Sequence, residues 1–239
     1  MMVQLSERLT AVAKMVTETE ILADVGTDHG YIPVFLAGQK RIQKAIAMDV
    51  NAGPLKRAQE HIHQYGLESV IETRLSDGLS ALKPCEADSI VIAGMGGNLM
   101  KRILIQGEQV AQTAKELILQ PQSEIMEFRR FLWENGYEIT TEDMVFEDGK
   151  YYPMMRAVPC NHREKEPDIL AFKYGERLLA QKHPVLRQYL VWQEAQKKKI
   201  LEKMQKNAKQ DVSSRVIELE QELGYINCAL EVIDGADGI

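Results

Sequence analysis

The stretch ILADVGTDHG, residues 21–30, passes from a short apolar run into a glycine turn, and YIPVFLAG (31–38) follows it with helical character. A buried strand, a tight turn and a helix make the first half of a βαβ unit. Gly26 at such a turn lets the backbone approach a ligand closely. The turn does not carry the dinucleotide fingerprint G-x-G-x-x-G, because Asp28 and Tyr31 stand where its second and third glycines belong. Asp24 and Asp28 are awkward beside a pyrophosphate, which favours helix N–H groups and no nearby anion. With Thr27 and His29 they suit a cationic, phosphate-free ligand. Taken alone, the segment reads more readily as an ordinary turn.

Outward from this segment the same alternation repeats. AIAMDV (45–50), VIETRL (70–75), DSIVIAG (88–94) and ELILQ (116–120) read as buried strands, and PLKRAQEHIHQYG (54–66) and NLMKRILIQG (98–107) as helices between them. Pro54 suits a first helical turn and Gly66 a helix end. That order implies a parallel sheet with helices on both faces, an α/β fold. After MEFRRFLWENG (126–136), YEITTEDMVF and KYYPMMRAV flank an EDG turn and predict two antiparallel strands that close the sheet.

Ligands of open α/β sheets bind outside the carboxyl ends of the strands. Asp49, followed by Val50 and Asn51, stands at the second such end, placed to accept ribose hydroxyls; a helix-capping role is the alternative, with Asn51 competing for it. Ser76-Asp77-Gly78 follows the third strand, where an acid can accept from an adenine amino group, although Asp-Gly is also plain turn chemistry. Gly94-Met95-Gly96-Gly97-Asn98 follows the fourth, a backbone bare enough for a flat base or merely a close strand-to-helix turn. Gln120 and Pro121 end the fifth strand and either flank a target base or stiffen a loop. Arg8 flanks the apolar stripe of Leu5, Leu9 and Val12 on an N-terminal helix; it reaches in over a bound carboxylate or out to a surface ion pair. Three acids at successive strand ends favour a nucleoside-bearing cationic cofactor.

Composition narrows the rest. The 239 residues are 45% hydrophobic and 27% charged, enough for a folded core. No apolar run has the length of a membrane span, and the N-terminus reads as an amphipathic helix rather than a signal peptide. Cys85, Cys160 and Cys228 lie far apart, the histidines form no ligand cluster, and a reduced, cytoplasmic, metal-free protein is expected. Net charge is −6, yet residues 161–209 are net +6 and the remainder net −12. Residues 212, 216, 219, 223, 226, 230 and 233 keep an apolar heptad seam, and Leu186, Leu190, Ile200 and Met204 keep its register upstream with Gln193 and Lys197 interrupting. With a turn at 207–211, this predicts an antiparallel helical hairpin whose first arm presents Lys199, Lys203 and Lys206 on one face; one long dimerising helix is the alternative. Domains of 1–160 and 161–239 follow.

LSERLTAVAKMV, DVGTDHGYIP, AMDVNAGPL, the SDGL turn, VIAGMGG, LQPQ and GKYYPM together resemble the bacterial tRNA (adenine-N1)-methyltransferases of the TrmK type. The resemblance covers nearly the whole chain. It implies a class I methyltransferase, Rossmann-like fold with a seven-stranded mixed sheet and a C-terminal coiled-coil hairpin. It also implies S-adenosyl-L-methionine over the turns at Gly26, Asp49, Asp77 and Gly94, and methylation of adenine at position 22 of tRNA gripped by the basic arm. From the chemistry, Asp28 is the candidate to stabilise positive charge on the methylated base. A monomer is expected, a dimer being the alternative. Two other readings compete: a nicotinamide-dependent oxidoreductase, which needs the missing phosphate fingerprint, and a non-catalytic RNA-binding protein, which needs no acids at the strand ends.

Overall fold

The computed structural model describes residues 3–17, 19–160, 165–206 and 213–235. The chain divides into two compact units, Met1–Glu166 and Pro167–Ile239.

In the first unit, β1 (Ile21–Val25), β2 (Lys44–Asp49), β3 (Ile71–Leu75), β4 (Ser89–Met95), β5 (Glu116–Pro121), β6 (Tyr137–Glu147) and β7 (Lys150–Pro159) form one sheet in the order β3-β2-β1-β4-β5-β7-β6. The first five strands run parallel, and β7 pairs antiparallel with both β5 and β6. The closing hairpin thus enters the sheet through its second strand. Parallel central strands are buried on both faces, which is why they read as unbroken apolar runs. Ala23, Val25, Ile90, Ile92, Leu117 and Leu119 point into one core layer, and Leu22, Val91 and Ile118 into the other.

The helices of this unit are α1 (Glu7–Met15), α2 (Tyr31–Gly38), α3 (Ala52–Gln64), α4 (Gly97–Gln106), α5 (Glu108–Ala111) and α6 (Ile125–Glu134). Val12, Ala13, Ile32, Leu36 and Ile62 from α1–α3 fill one layer, and Met100, Leu104, Phe128 and Leu132 from α4 and α6 fill the other. The start of α1 is held twice. Ser6 Oγ accepts from Leu9 N at 3.3 Å, and the Glu147 carboxylate of β6 accepts from Glu7 N at 2.6 Å and Arg8 N at 3.3 Å. A carboxylate there satisfies helix donors and complements the helix dipole.

The second unit contains α7 (Ile169–Tyr174), α8 (Glu176–Ala180), α9 (Pro184–Lys206) and α10 (Ser213–Asp234). The sequence pattern does not foresee the two short helices. The heptad reading of α10 holds, with Leu219, Ile226 and Ile233 buried and Val216, Leu223 and Leu230 half-buried; Val212 and the turn at 207–211 lie outside the described residues. On α9 the seam departs from expectation. Leu186 and Leu190 are buried, but Ile200 is 44% exposed while its neighbour Leu201 is half-buried. The interrupting Lys197 pairs with Glu222 across the seam, and Gln193 donates to Tyr189 Oη at 2.6 Å. A paired polar position inside an apolar seam fixes register at some cost in stability.

Candidate active site

The carboxyl ends of β1 to β5 bring the expected residues to one edge. Gly26 has φ +74°, and its N–H and that of Thr27 donate to the Met48 carbonyl at 2.8 and 2.9 Å, which turns the chain tightly over the end of β2. Below the turn, Asp24 is buried and accepts from Thr27 Oγ1 at 2.6 Å. Burial pushes its carboxyl up from 3.8 to about 6; the Thr27 hydroxyl lowers it and the nearby Asp49 raises it. Asp49, half-buried, accepts from Asn51 N at 2.8 Å, and Asn51 is the N-cap of α3 by backbone position without a side-chain cap bond. Val50, Asn51 and Asp77 are exposed along the same edge.

Arg8 reaches inward. Its Nη1 donates to Gln120 Oε1 at 2.9 Å, its guanidinium carbon lies 5.4 Å from the centre of the Tyr152 ring, and Nη1 stands 3.6 Å from where a Cβ on Gly94 would be. The exposed Gly94, with φ +79°, therefore turns under a guanidinium held in place by β5 and β7.

Other expected residues do different jobs. Ser76 is buried and bonded within its own turn, donating to Gly78 O at 2.9 Å and accepting from Ala81 N at 3.1 Å. Gly78 backs onto Ile103, whose side-chain carbons would lie 3.1 Å from a Cβ there. The expectation that Gly96 and Gly97 stay bare for a base is corrected. A Cβ on Gly97 would meet the Ser123 carbonyl at 2.6 Å and one on Gly96 would meet Ser123 Oγ at 3.0 Å, so the loop after β5 already covers them. Gln120 and Pro121 are likewise buried, and the Gln120 side-chain oxygen accepts from Arg8. Asn98 is exposed at the start of α4. Met95 covers Gly26, its methyl occupying the place where a Cβ would stand. Asp28 sits on the exposed rim at φ +49°, bonded by Arg57 Nη2 at 2.7 Å, with His29 Nε2 at 3.7 Å. That pairing neutralises the carboxylate nominated to stabilise a cationic base. Arg57 itself escaped the sequence reading, because nothing in α3 alone says that it faces the first turn. Lys199 and Lys203 are exposed on α9; the Lys206 side chain lies outside the described residues.

The resulting set is chemically lopsided. Acceptor carboxylates end β1 and β2 and follow β3, and one guanidinium stands over β4. That matches a ligand with hydroxyl, amine and cationic groups at one end and a carboxylate at the other. It does not match a pyrophosphate.

Residues 5–155 match a family model described as a methyltransferase domain. The tRNA (adenine(22)-N(1))-methyltransferase of Bacillus subtilis strain 168 is 37% identical over 154 residues, 64% of this chain and 65% of that relative. This chain belongs to the TrmK family of methyltransferases. The match spans just under two thirds of that curated relative's length. Among solved structures, the B. subtilis m1A22 tRNA methyltransferase TrmK superposes with a TM-score of 0.83 at 29% identity, covering 95% of this chain and 99% of that one. The M. capricolum TrmK, solved with S-adenosyl-homocysteine, gives 0.82 at 27% identity, covering 96% and 99%. The fold read from the sequence, with its seven-stranded mixed sheet and helical hairpin, is the TrmK fold.

Proposed function

We propose that this chain transfers the methyl group of S-adenosyl-L-methionine to N1 of adenine 22 in tRNA. The observation that carries the cofactor reading is the row of acids at successive strand ends, faced by Arg8 over Gly94. The names of the TrmK relatives support the substrate.

S-adenosyl-L-methionine supplies an electrophilic methyl on a sulfonium. Asp49 would accept the ribose hydroxyls, Asp77 would accept from the adenine amino group, and Arg8 would pair with the amino-acid carboxylate. Asp24 and Thr27 hold the Gly26 turn and place negative potential beneath the cation. Adenine N1 carries its own lone pair, so no residue need remove a proton before attack. The protein's task is alignment, which by itself is worth several orders of magnitude in rate. Positive charge develops on the base, and the exposed backbone at Gly94 and the Asp28 rim would offer acceptors for it. With Arg57 on Asp28, the carboxylate must exchange partners to serve there.

We assign transfer to the first unit and tRNA grip to α9 of the second. With a tRNA substrate we infer a cytoplasmic protein, acting as a monomer. No helix among the described residues is long and apolar enough to cross a membrane. Incubation of the full chain with labelled S-adenosyl-L-methionine and unmodified tRNA should yield N1-methyladenosine on nucleoside analysis. A protein that binds S-adenosylhomocysteine but leaves tRNA unlabelled is something other than a tRNA methyltransferase.

A further inference from the structure

Beside the first turn, four aromatic rings form a row, with Tyr31 exposed and His29, His61 and Tyr65 half-buried. His29 and Tyr31 stack with centroids 5.2 Å apart at 24°. His61 meets Tyr31 edge-on at 5.0 Å, and Tyr65 meets His61 edge-on at 4.9 Å. His61 Nδ1 lies 3.0 Å from the His29 carbonyl oxygen, which ties the middle of the row to the first turn. Arg57, His61 and Tyr65 recur every four residues along one edge of α3, and Arg57 joins Asp28 at the head of the row.

Packing against the apolar core accounts for Tyr65 at the far end of the row, but not for the rings of His29 and Tyr31. Gly30 faces Ala58 at an ordinary 3.5 Å for a Cβ, and Ile62 is buried, so α2 and α3 already meet through small and apolar residues. Tyr31 keeps 36% of its surface in solvent and His29 keeps 38% of its side chain. Exposed rings locked by their neighbours offer a flat face without further ordering cost. Unpaired nucleic-acid bases are bound on such faces, with nearby cations for the phosphates; here the exposed Lys56 of α3 is the candidate, since Arg57 is taken up by Asp28.

We propose that the His29–Tyr31 pair is a stacking platform for an unpaired base of the RNA substrate, the nucleotide next to the reactive adenine. The inference rests on the tRNA reading above and deepens it. A target adenine must leave its stack to enter the pocket, and its exposed neighbour then needs a new partner. Tyr31 lies one residue beyond Gly30, so the platform sits beside the turn where the methyl is delivered.

The test uses the full chain and tRNA carrying 2-aminopurine on either side of the target adenine. The wild type should quench one of these probes on binding. Tyr31→Ala and Tyr31→Leu should abolish the quench and raise KM for tRNA about tenfold, with affinity for S-adenosylhomocysteine within about twofold of wild type; a lost base–aromatic stack has this order of effect. Tyr31→Phe should behave as wild type. Unchanged quenching and KM in Tyr31→Leu would overturn the platform, as would a parallel loss of S-adenosylhomocysteine affinity, which would make Tyr31 part of the cofactor turn. A wild type that transfers no methyl to tRNA sinks the functional reading; transfer that is indifferent to Tyr31 sinks only this inference.

Discussion

Asp24 ties the chemistry of the first turn to the stability of the fold. Its folded-state carboxyl titrates near 6 rather than 3.8, so the folded protein holds a proton there that the unfolded chain has already released. Stability from this group is therefore highest below the unfolded value and falls as pH rises through the window from about 4 to 6. Above that window the ionised, buried form costs roughly 2–3 kcal/mol. Asp24→Asn, which still accepts from Thr27, should be more stable than wild type at pH 8 by about that amount and nearly equal to it at pH 4. Urea unfolding at the two pH values checks this, and parallel pH profiles for the two proteins would refute it. A residue-level reading of the sequence finds Asp24, Asp49 and Asp77 because each ends or follows a strand. It cannot find that Asp28 meets Arg57, or that Ser76 turns inward, since those facts depend on side chains brought together by tertiary packing.

The elements were mostly legible because a parallel sheet buried on both faces writes each strand as a continuous apolar run, as in SIVIAG and ELILQ. What was not legible is their order and what their ends touch. The pairing of β7 with β5 puts Tyr152 under Arg8, and no local pattern encodes it. The helices α7 and α8, six and five residues long, are too short to show a helical period. The glycines after β4 looked bare in the sequence, yet Gly97 is pressed against Ser123 by the loop after β5. The joint between α1 and β5 carries a prediction of its own. Gln120 is fully buried and bonds Arg8, so it should position the guanidinium rather than touch ligand. Gln120→Leu should weaken S-adenosylhomocysteine binding about tenfold, as expected for loss of a bond to a charged group. Gln120→Glu, which keeps an acceptor, should restore most of it. Calorimetric titration that finds Leu and Glu equally impaired would make Gln120 a packing residue only.

Across the whole molecule, charge is segregated in the sequence: residues 161–209 are net +6 in a chain of net −6. An acidic protein can still grip a polyanion through one basic helix, because counterion release depends on the local contacts. Lys199 and Lys203 are one helical turn apart and exposed, whereas Lys197 and Lys198 are paired with Glu222 and Glu194. Replacing Lys199 and Lys203 with Glu should therefore weaken tRNA binding more than tenfold and flatten its salt dependence by about one to two units of slope, leaving S-adenosylhomocysteine affinity intact. Filter binding across a salt series reads both quantities, and a wild-type slope would assign α9 to folding alone. The proposed reaction, one methyl delivered to one atom of one nucleotide, has a more direct test still. Unmodified tRNA incubated with the protein and labelled S-adenosyl-L-methionine should acquire N1-methyladenosine at position 22, and tRNA with guanine at that position should stay unlabelled. Label at another nucleotide, or equal labelling of the two tRNAs, would contradict the account.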